Sequence, residues 1–93
     1  SGFAIAKRKA QTGNWDEAAQ IWFQLTKSNN RKTAGRACYN MAIISEINGD
    51  VDAALAWAQK SYENYRIKLG LDYVNILHHR KADEALLASQ FGQ

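Results

Sequence analysis

The residue types most able to do chemistry in this chain are two histidines and one cysteine. His78 and His79 are adjacent, and Cys38 lies 40 positions before His78. Neighbouring side chains on a helix point about 100° apart, so the two histidines do not converge on one metal ion. A nucleophilic thiol needs a base beside it, and one cysteine forms no internal disulfide. The sequence therefore predicts no metal site and a buried, structural Cys38.

Paired carboxylates are the second candidate for chemistry. The pairs are Asp16 and Glu17, Asp50 and Asp52, and Asp83 and Glu84. The first two pairs open predicted helices, where the helix dipole stabilises negative charge by about 0.3–1 kcal/mol. The chain has no glycine-rich phosphate loop, serine elbow or metal-ligand spacing. We therefore predict no enzymatic activity and no cofactor.

The composition predicts one folded, all-α domain over residues 1–93. Hydrophobic residues make up 46% of the chain and charged residues 23%, which excludes an intrinsically disordered segment. Fifteen alanines and no proline favour helices. The longest apolar runs are only a few residues, so the segment is not predicted to enter a membrane.

Two helix–turn–helix units follow one another at an offset of 36 residues. They share a glycine, an aspartate and an alanine at matching positions: Gly13, Asp16 and Ala18, then Gly49, Asp52 and Ala54. Segments without helix breakers flank each glycine turn. This pattern predicts helices over residues 3–12, 15–25, 33–47, 51–62 and 71–90, with a joint over 62–70.

Helical spacing also predicts the core. The third helix places six residues on its inner face: Ala34, Ala37, Cys38, Met41, Ala42 and Ile44. The last helix carries a predicted apolar stripe of Tyr73, Ile76, Leu77, Leu87 and Phe91. The three tryptophans are predicted to pack between repeats: Trp15, Trp22 and Trp57. A partly exposed Trp57 that docks another domain is the alternative, since aromatic residues are enriched at interfaces.

The net charge of +3 is unevenly distributed. Residues 1–36 hold seven Lys or Arg against two acids, whereas residues 37–93 hold five against seven. A basic region can attract nucleic acid, and weak nucleic-acid binding through this third of the chain is one alternative function. Sites that follow phosphates usually alternate cations with aromatic residues, and here only Phe3 and Tyr39 could serve. A solvated surface is the favoured interpretation, with no nucleic-acid partner.

The repeated unit resembles the tetratricopeptide-repeat (TPR) family. That motif has a small residue where its two helices meet, then a Gly-Asp-type turn, then alanine early in the second helix. The matching residues are Ala6, Gly13, Asn14, Ala18 and Trp22 in the first unit and Ala42, Gly49, Asp50, Ala54 and Ala58 in the second. The resemblance implies a right-handed α-solenoid fragment with repeats at 3–32 and 33–68 and a long capping helix at 69–93.

Three departures from the TPR pattern limit the resemblance to about residues 3–68. No proline follows either second helix, and Gly2 stands where the first helix would carry a large residue. Leu77 stands where a third unit would need a small residue. The last segment is therefore predicted to be one helix and not a third hairpin.

The resemblance also implies a concave, partner-binding groove lined by the first helix of each repeat. Its predicted residues are Lys7, Arg36, Tyr39, Asn40 and Ile43, with Val74, Asn75 and His78 from the last helix. Asn40 takes the position from which peptide-binding members hold a ligand backbone. Two cations with an amide suit a peptide carboxylate, although the full chaperone-binding clamp is not reproduced. The implied function is non-catalytic binding of a peptide or a neighbouring domain.

A narrower resemblance links the chain to the C-terminal region of TPR-containing lipoproteins of Bacteroidetes. It is carried by three stretches, at residues 15–22, 39–46 and 48–57. It implies a cell-envelope protein with a larger parent chain. A purely structural domain of that parent is therefore an alternative to the binding function. Without this resemblance, a cytoplasmic location is expected. An incomplete solenoid also exposes an apolar end, which predicts a possible homodimer.

Overall fold

The computed structural model describes residues 2–91, and the side chain of Phe3 lies outside the described part. These residues form five α-helices: α1 (Gly2–Gln11), α2 (Trp15–Leu25), α3 (Arg31–Ile47), α4 (Val51–Glu63) and α5 (Lys68–Gln90). No strand occurs between residues 2 and 91. The prediction of an all-α chain is confirmed.

The two glycine turns have the same backbone conformation. Gly13 and Gly49 both have φ of +83°, in the left-handed region that glycine occupies without steric cost. After the second turn, the Asp50 carboxylate accepts a hydrogen bond from the Ala53 amide at 3.0 Å and caps α4. The predicted turn–cap sequence between α3 and α4 is confirmed.

Two helices begin earlier than their predicted starts. Asn30 caps α3 by accepting from the Thr33 amide at 3.0 Å, so the helix begins two residues before position 33. Helix α5 begins at Lys68, three residues before position 71, and the joint shortens to 64–67. Gly70 falls at the end of the predicted joint, but it is buried inside α5, where a side chain would meet α4.

The helices pack mainly against their neighbours in the chain, in the order α1–α2, α2–α3, α3–α4 and α4–α5. The described chain is accordingly elongated, measuring 49 × 28 × 16 Å. Two buried clusters hold it together: Ala6, Ala18, Trp22 and Ile44, then Ala42, Ala54, Ala58 and Leu77. Alanine dominates both clusters because closely crossing helices leave no room for long side chains.

The predicted core of α3 is largely confirmed. Five of its six residues are buried, and Met41 is half-buried. Trp22 is buried as predicted, and Trp57 is half-buried. Trp15 departs from the prediction because it is 41% exposed at the first position of α2.

The predicted apolar stripe of α5 is mostly wrong. Leu77 is fully buried and Tyr73 is half-buried, but Ile76, Leu87 and Phe91 are 48%, 54% and 70% exposed. Helix α5 has 23 residues whereas α4, its main neighbour, has 13. Every residue from 78 to 91 is exposed, although Arg80 and Lys81 still pair with Glu46 of α3 and Asp52 of α4.

Candidate functional site

A cavity of about 620 Å³ lies among the first three helices. Helix α1 contributes Lys7, Ala10 and Gln11, helix α2 contributes Trp15 and Trp22, and helix α3 contributes Arg36, Asn40 and Ile43. Within each helix, the lining residues follow the first one at intervals of three, four or seven positions, so they lie on one face of that helix. The Gly13 turn folds α2 back on α1, and this brings the three faces together.

Trp22, which lines this cavity, has an indole N–H without a hydrogen-bond partner. The residue is 7% exposed, and its Nε1 atom is buried with no acceptor within the described residues. A buried donor without a partner costs about 1–3 kcal/mol, so such groups are uncommon in folded proteins.

The polar side chains around the cavity favour a ligand that carries negative charge. Lys7 and Arg36 are cations, Asn40 supplies an amide, and none of the eight lining residues is Asp or Glu. Trp15 and Ile43 supply apolar surface beside these groups. Cations and N–H donors next to apolar surface suit an anionic group attached to an apolar one.

Four of the predicted groove residues line this cavity together: Lys7, Arg36, Asn40 and Ile43. The others lie elsewhere. Tyr39 contacts Tyr73 of α5, with ring centroids 5.9 Å apart. Val74 is half-buried against the second core cluster, while Asn75 and His78 are exposed on α5 and do not line the cavity.

Sequence reasoning missed the two tryptophans and the pair Ala10 and Gln11 as cavity residues. Trp15 and Trp22 were assigned to the core because both fall on the second helix of a repeat. A usable signal was present: Trp15 and Trp22 are seven residues apart, and Ala10 and Gln11 follow Lys7 by three and four. These spacings place them on the same helix faces as the predicted residues.

Tyr39 belongs to a polar junction between α3 and α5. Its neighbour Tyr73 donates a hydrogen bond from its hydroxyl to Glu46, and Arg80 forms an ion pair with the same carboxylate. Burial raises the pKa of the Tyr73 phenol, and the nearby Tyr39 raises it further. This junction fixes α5 against α3 and holds the Tyr39 ring against its neighbour.

Cys38 is buried in α3. Burial raises the pKa of its thiol, and the positive charge of Lys60 only partly opposes this effect. A raised pKa keeps the thiol protonated at neutral pH, which fits a structural side chain.

The described residues carry neither a metal cluster nor a membrane span. No group of three or more His, Cys, Asp or Glu side chains converges between residues 2 and 91. None of the five helices has the length and apolar character needed to cross a bilayer.

Comparison with curated proteins and with solved structures gives no match. A family model does match, over residues 4–79, and its description is a domain of unknown function, DUF6340. The matched range includes the whole cavity and ends at residue 79, near the middle of α5. Since most of the sequence is matched, the chain belongs to the DUF6340 family.

Proposed function

We propose that this chain is a TPR-like, non-catalytic protein-interaction module that binds a carboxylate-bearing peptide segment in the α1–α3 cavity. The observation that carries this proposal is that Lys7, Arg36 and Asn40 line one cavity together with Trp22, whose indole N–H has no hydrogen-bond partner. These groups come from three helices, so their arrangement depends on the fold and not on one local stretch of sequence.

The TPR-like part of the proposal is supported by equivalent positions of the two units. Ala6 and Ala42 are fully buried, and so are Ala18 and Ala54, each pair separated by 36 residues. The two turn glycines share one φ value at the same offset. Helices that pack successively along the chain are typical of a solenoid.

Binding in this cavity would depend on fixed shape and charge. The ligand carboxylate would accept hydrogen bonds from Lys7 and Arg36, and the Asn40 amide would pair with a peptide group. Trp15 and Ile43 would cover a neighbouring apolar side chain. Because helices carry these groups, little ordering entropy is lost on binding.

The test begins with selection of peptides from a displayed random library on the wild-type chain. Affinities are then measured by calorimetry for wild type and for the variant Lys7→Ala, Arg36→Ala, Asn40→Ala. We expect at least a tenfold weaker affinity, since a hydrogen bond to a charged group contributes about 1.5–3 kcal/mol. The Trp22 indole N–H signal should shift in NMR spectra as peptide is added.

A matched control removes the same residue types outside the cavity: Arg8→Ala, Asn29→Ala, Lys32→Ala. All three residues are exposed and absent from the cavity lining. Unfolding curves establish that both variants remain folded. Equal affinity in the cavity variant and the wild type, or an unmoved Trp22 signal, would refute peptide binding at this site.

A structural role within a larger cell-envelope lipoprotein is the second candidate function. It is favoured by the exposed apolar residues Leu86, Leu87 and Phe91 on the second half of α5, which another domain could cover. Function of the parent protein without residues 1–93 would contradict it. Failure of peptide selection together with loss of parent-protein stability on removing this domain would favour it.

A further inference from the structure

A second candidate surface is formed by the end of α2 and the start of α3 together with the end of α4 and the turn after it, and it shares no residue with the cavity. We call it the cation–aromatic face and define it as Phe23, Lys27, Arg31, Trp57, Lys60 and Tyr65. The rings of Phe23 and Trp57 meet edge to face, with centroids 6.1 Å apart. At the other end, the Arg31 guanidinium donates to the Asn64 carbonyl at 2.5 Å and lies 5.3 Å from the Tyr65 ring. These contacts join residues 23–31 and 57–65 into one surface.

A lysine lies over two of the three rings of this face, and Arg31 lies over the third, that of Tyr65. Lys27 Nζ lies 4.6 Å from the centre of the Phe23 ring, and Lys60 Nζ lies 5.6 Å from that of Trp57. Phe23 is 40% exposed and the three cations are exposed. The rings thus hold positive charge at defined positions on the surface.

The charge on this face has no acidic partner in the described chain. None of Lys27, Arg31 and Lys60 forms an ion pair with a carboxylate of residues 2–91. Cations elsewhere do find such partners: Lys9 pairs with Glu17 and Lys81 with Asp52, both at 2.6 Å, and Arg80 pairs with Glu46. The cation–aromatic face is distinguished by three cations that lie against three rings on one surface.

We infer that the cation–aromatic face docks an acidic polypeptide segment that also carries apolar side chains. Carboxylates would pair with Lys27 and Lys60 while those cations stay over their rings, and an apolar side chain would contact the exposed part of Phe23. A single-stranded nucleic acid fits less well, because base stacking needs open ring faces and the two lysines cover them.

The test uses a short synthetic peptide in which leucines alternate with pairs of glutamates, and the same peptide with glutamines in their place. Both are titrated into the chain at low salt, and the indole N–H signals of Trp15, Trp22 and Trp57 are followed by NMR. We expect the acidic peptide to shift the Trp57 signal and the glutamine peptide to leave it unchanged. A shift confined to Trp22 would place the peptide in the cavity and overturn the inference without touching the proposed function.

The variant Lys27→Gln, Lys60→Gln tests the two lysines directly. Its control is Arg8→Gln, Lys68→Gln, which removes the same charge at two exposed positions outside the face. We expect about tenfold weaker binding in the first variant and less than twofold in the control, because two exposed charge contacts contribute on this scale. Equal losses in both variants would show general charge attraction and overturn the inference. Tighter, Lys27- and Lys60-dependent binding of a thymidine oligonucleotide or of phosphatidylglycerol vesicles would also overturn it.

Discussion

Gly70 of α5 lies directly on Ser61 of α4, and this contact allows the two helices to cross closely. Both residues are buried, and Ser61 Oγ donates to the Ala58 carbonyl at 2.7 Å. A Cβ atom on Gly70 would overlap Ser61 Oγ and lie 2.9 Å from the Ala58 carbonyl oxygen. The position of α5, and with it the α3–α5 junction, depends on the absence of a side chain at residue 70.

We expect Gly70→Ala to lower the free energy of unfolding by about 1–3 kcal/mol, because the added methyl group forces α4 and α5 apart. Urea unfolding followed by circular dichroism measures the change. Ser61→Ala removes the nearest atom, so the double variant should lose less than the sum of the single losses. A gain of up to about 1 kcal/mol from Gly70→Ala, as in an open helix, would contradict the close crossing.

The hydrogen bond from Tyr73 to Glu46 leads to a prediction about high pH. The pKa of Tyr73 is raised in the folded chain, first by burial and then by Tyr39. Below the unfolded pKa of about 10 the phenol is protonated in both states, and its stabilisation is fully present. As pH rises through the folded pKa, the unfolded chain ionises first, and stability is lost.

The variant Tyr73→Phe removes this dependence on pH. We expect it to be less stable than wild type at pH 8, because a hydrogen bond contributes about 0.5–1.5 kcal/mol, and the gap should narrow above about pH 10. Urea unfolding at intervals between these values measures it. Tyr62→Phe, at a half-buried tyrosine of α4, is the matched control. Parallel curves for wild type and Tyr73→Phe would count against the raised pKa.

The repeated positions explain why most of the fold could be predicted from the sequence. Glycine in the left-handed region and aspartate at a helix start are local requirements, so Gly49 and Asp50 marked the turn and cap correctly. Buried alanines spaced for helix crossing marked the core in the same way. Each of these features depends on residues that are close in the sequence, so the sequence alone is enough to predict it.

The wrong predictions concern which helix faces are covered by other helices. The periodicity of a single helix carries no information about this. Leu87 and Leu77 belong to the same predicted stripe, yet only Leu77 has a helix over it. Gly70 was placed in the joint and not in α5, because its role depends on Ser61, which lies on another helix. Tyr39 similarly contacts Tyr73 of α5 and does not line the cavity.

The buried thiol of Cys38 should be unreactive in the folded chain. Burial raises its pKa and also blocks access, so the thiolate that attacks disulfide reagents is scarce. With a thiol-reactive disulfide at pH 8, we expect modification at least about 100-fold slower in buffer than in urea, since reaction must follow opening of the structure. Cys38→Ala corrects for background absorbance. Similar rates in buffer and urea would show that the thiol is accessible.

The second half of α5 should contribute little to the stability of a single chain. Leu86 and Leu87 are more than half exposed whereas Leu77 is fully buried on the same helix. We expect Leu86→Ser with Leu87→Ser to change the free energy of unfolding by less than about 0.5 kcal/mol in dilute solution. Leu77→Ala should lower it by about 2–5 kcal/mol, because it leaves a cavity among the alanines of α3 and α4.

The same leucines test the possible homodimer. An exposed apolar helix face is stabilised when a second copy covers it, so wild type should sediment as a dimer as its concentration rises. The variant Leu86→Ser, Leu87→Ser should remain monomeric at those concentrations. Ala82→Ser with Ala85→Ser, at exposed positions of the same segment, should still dimerise because little apolar surface is removed. A wild-type chain that sediments as a monomer throughout would leave the second half of α5 without a partner of its own kind, and the covering surface would then have to come from another domain.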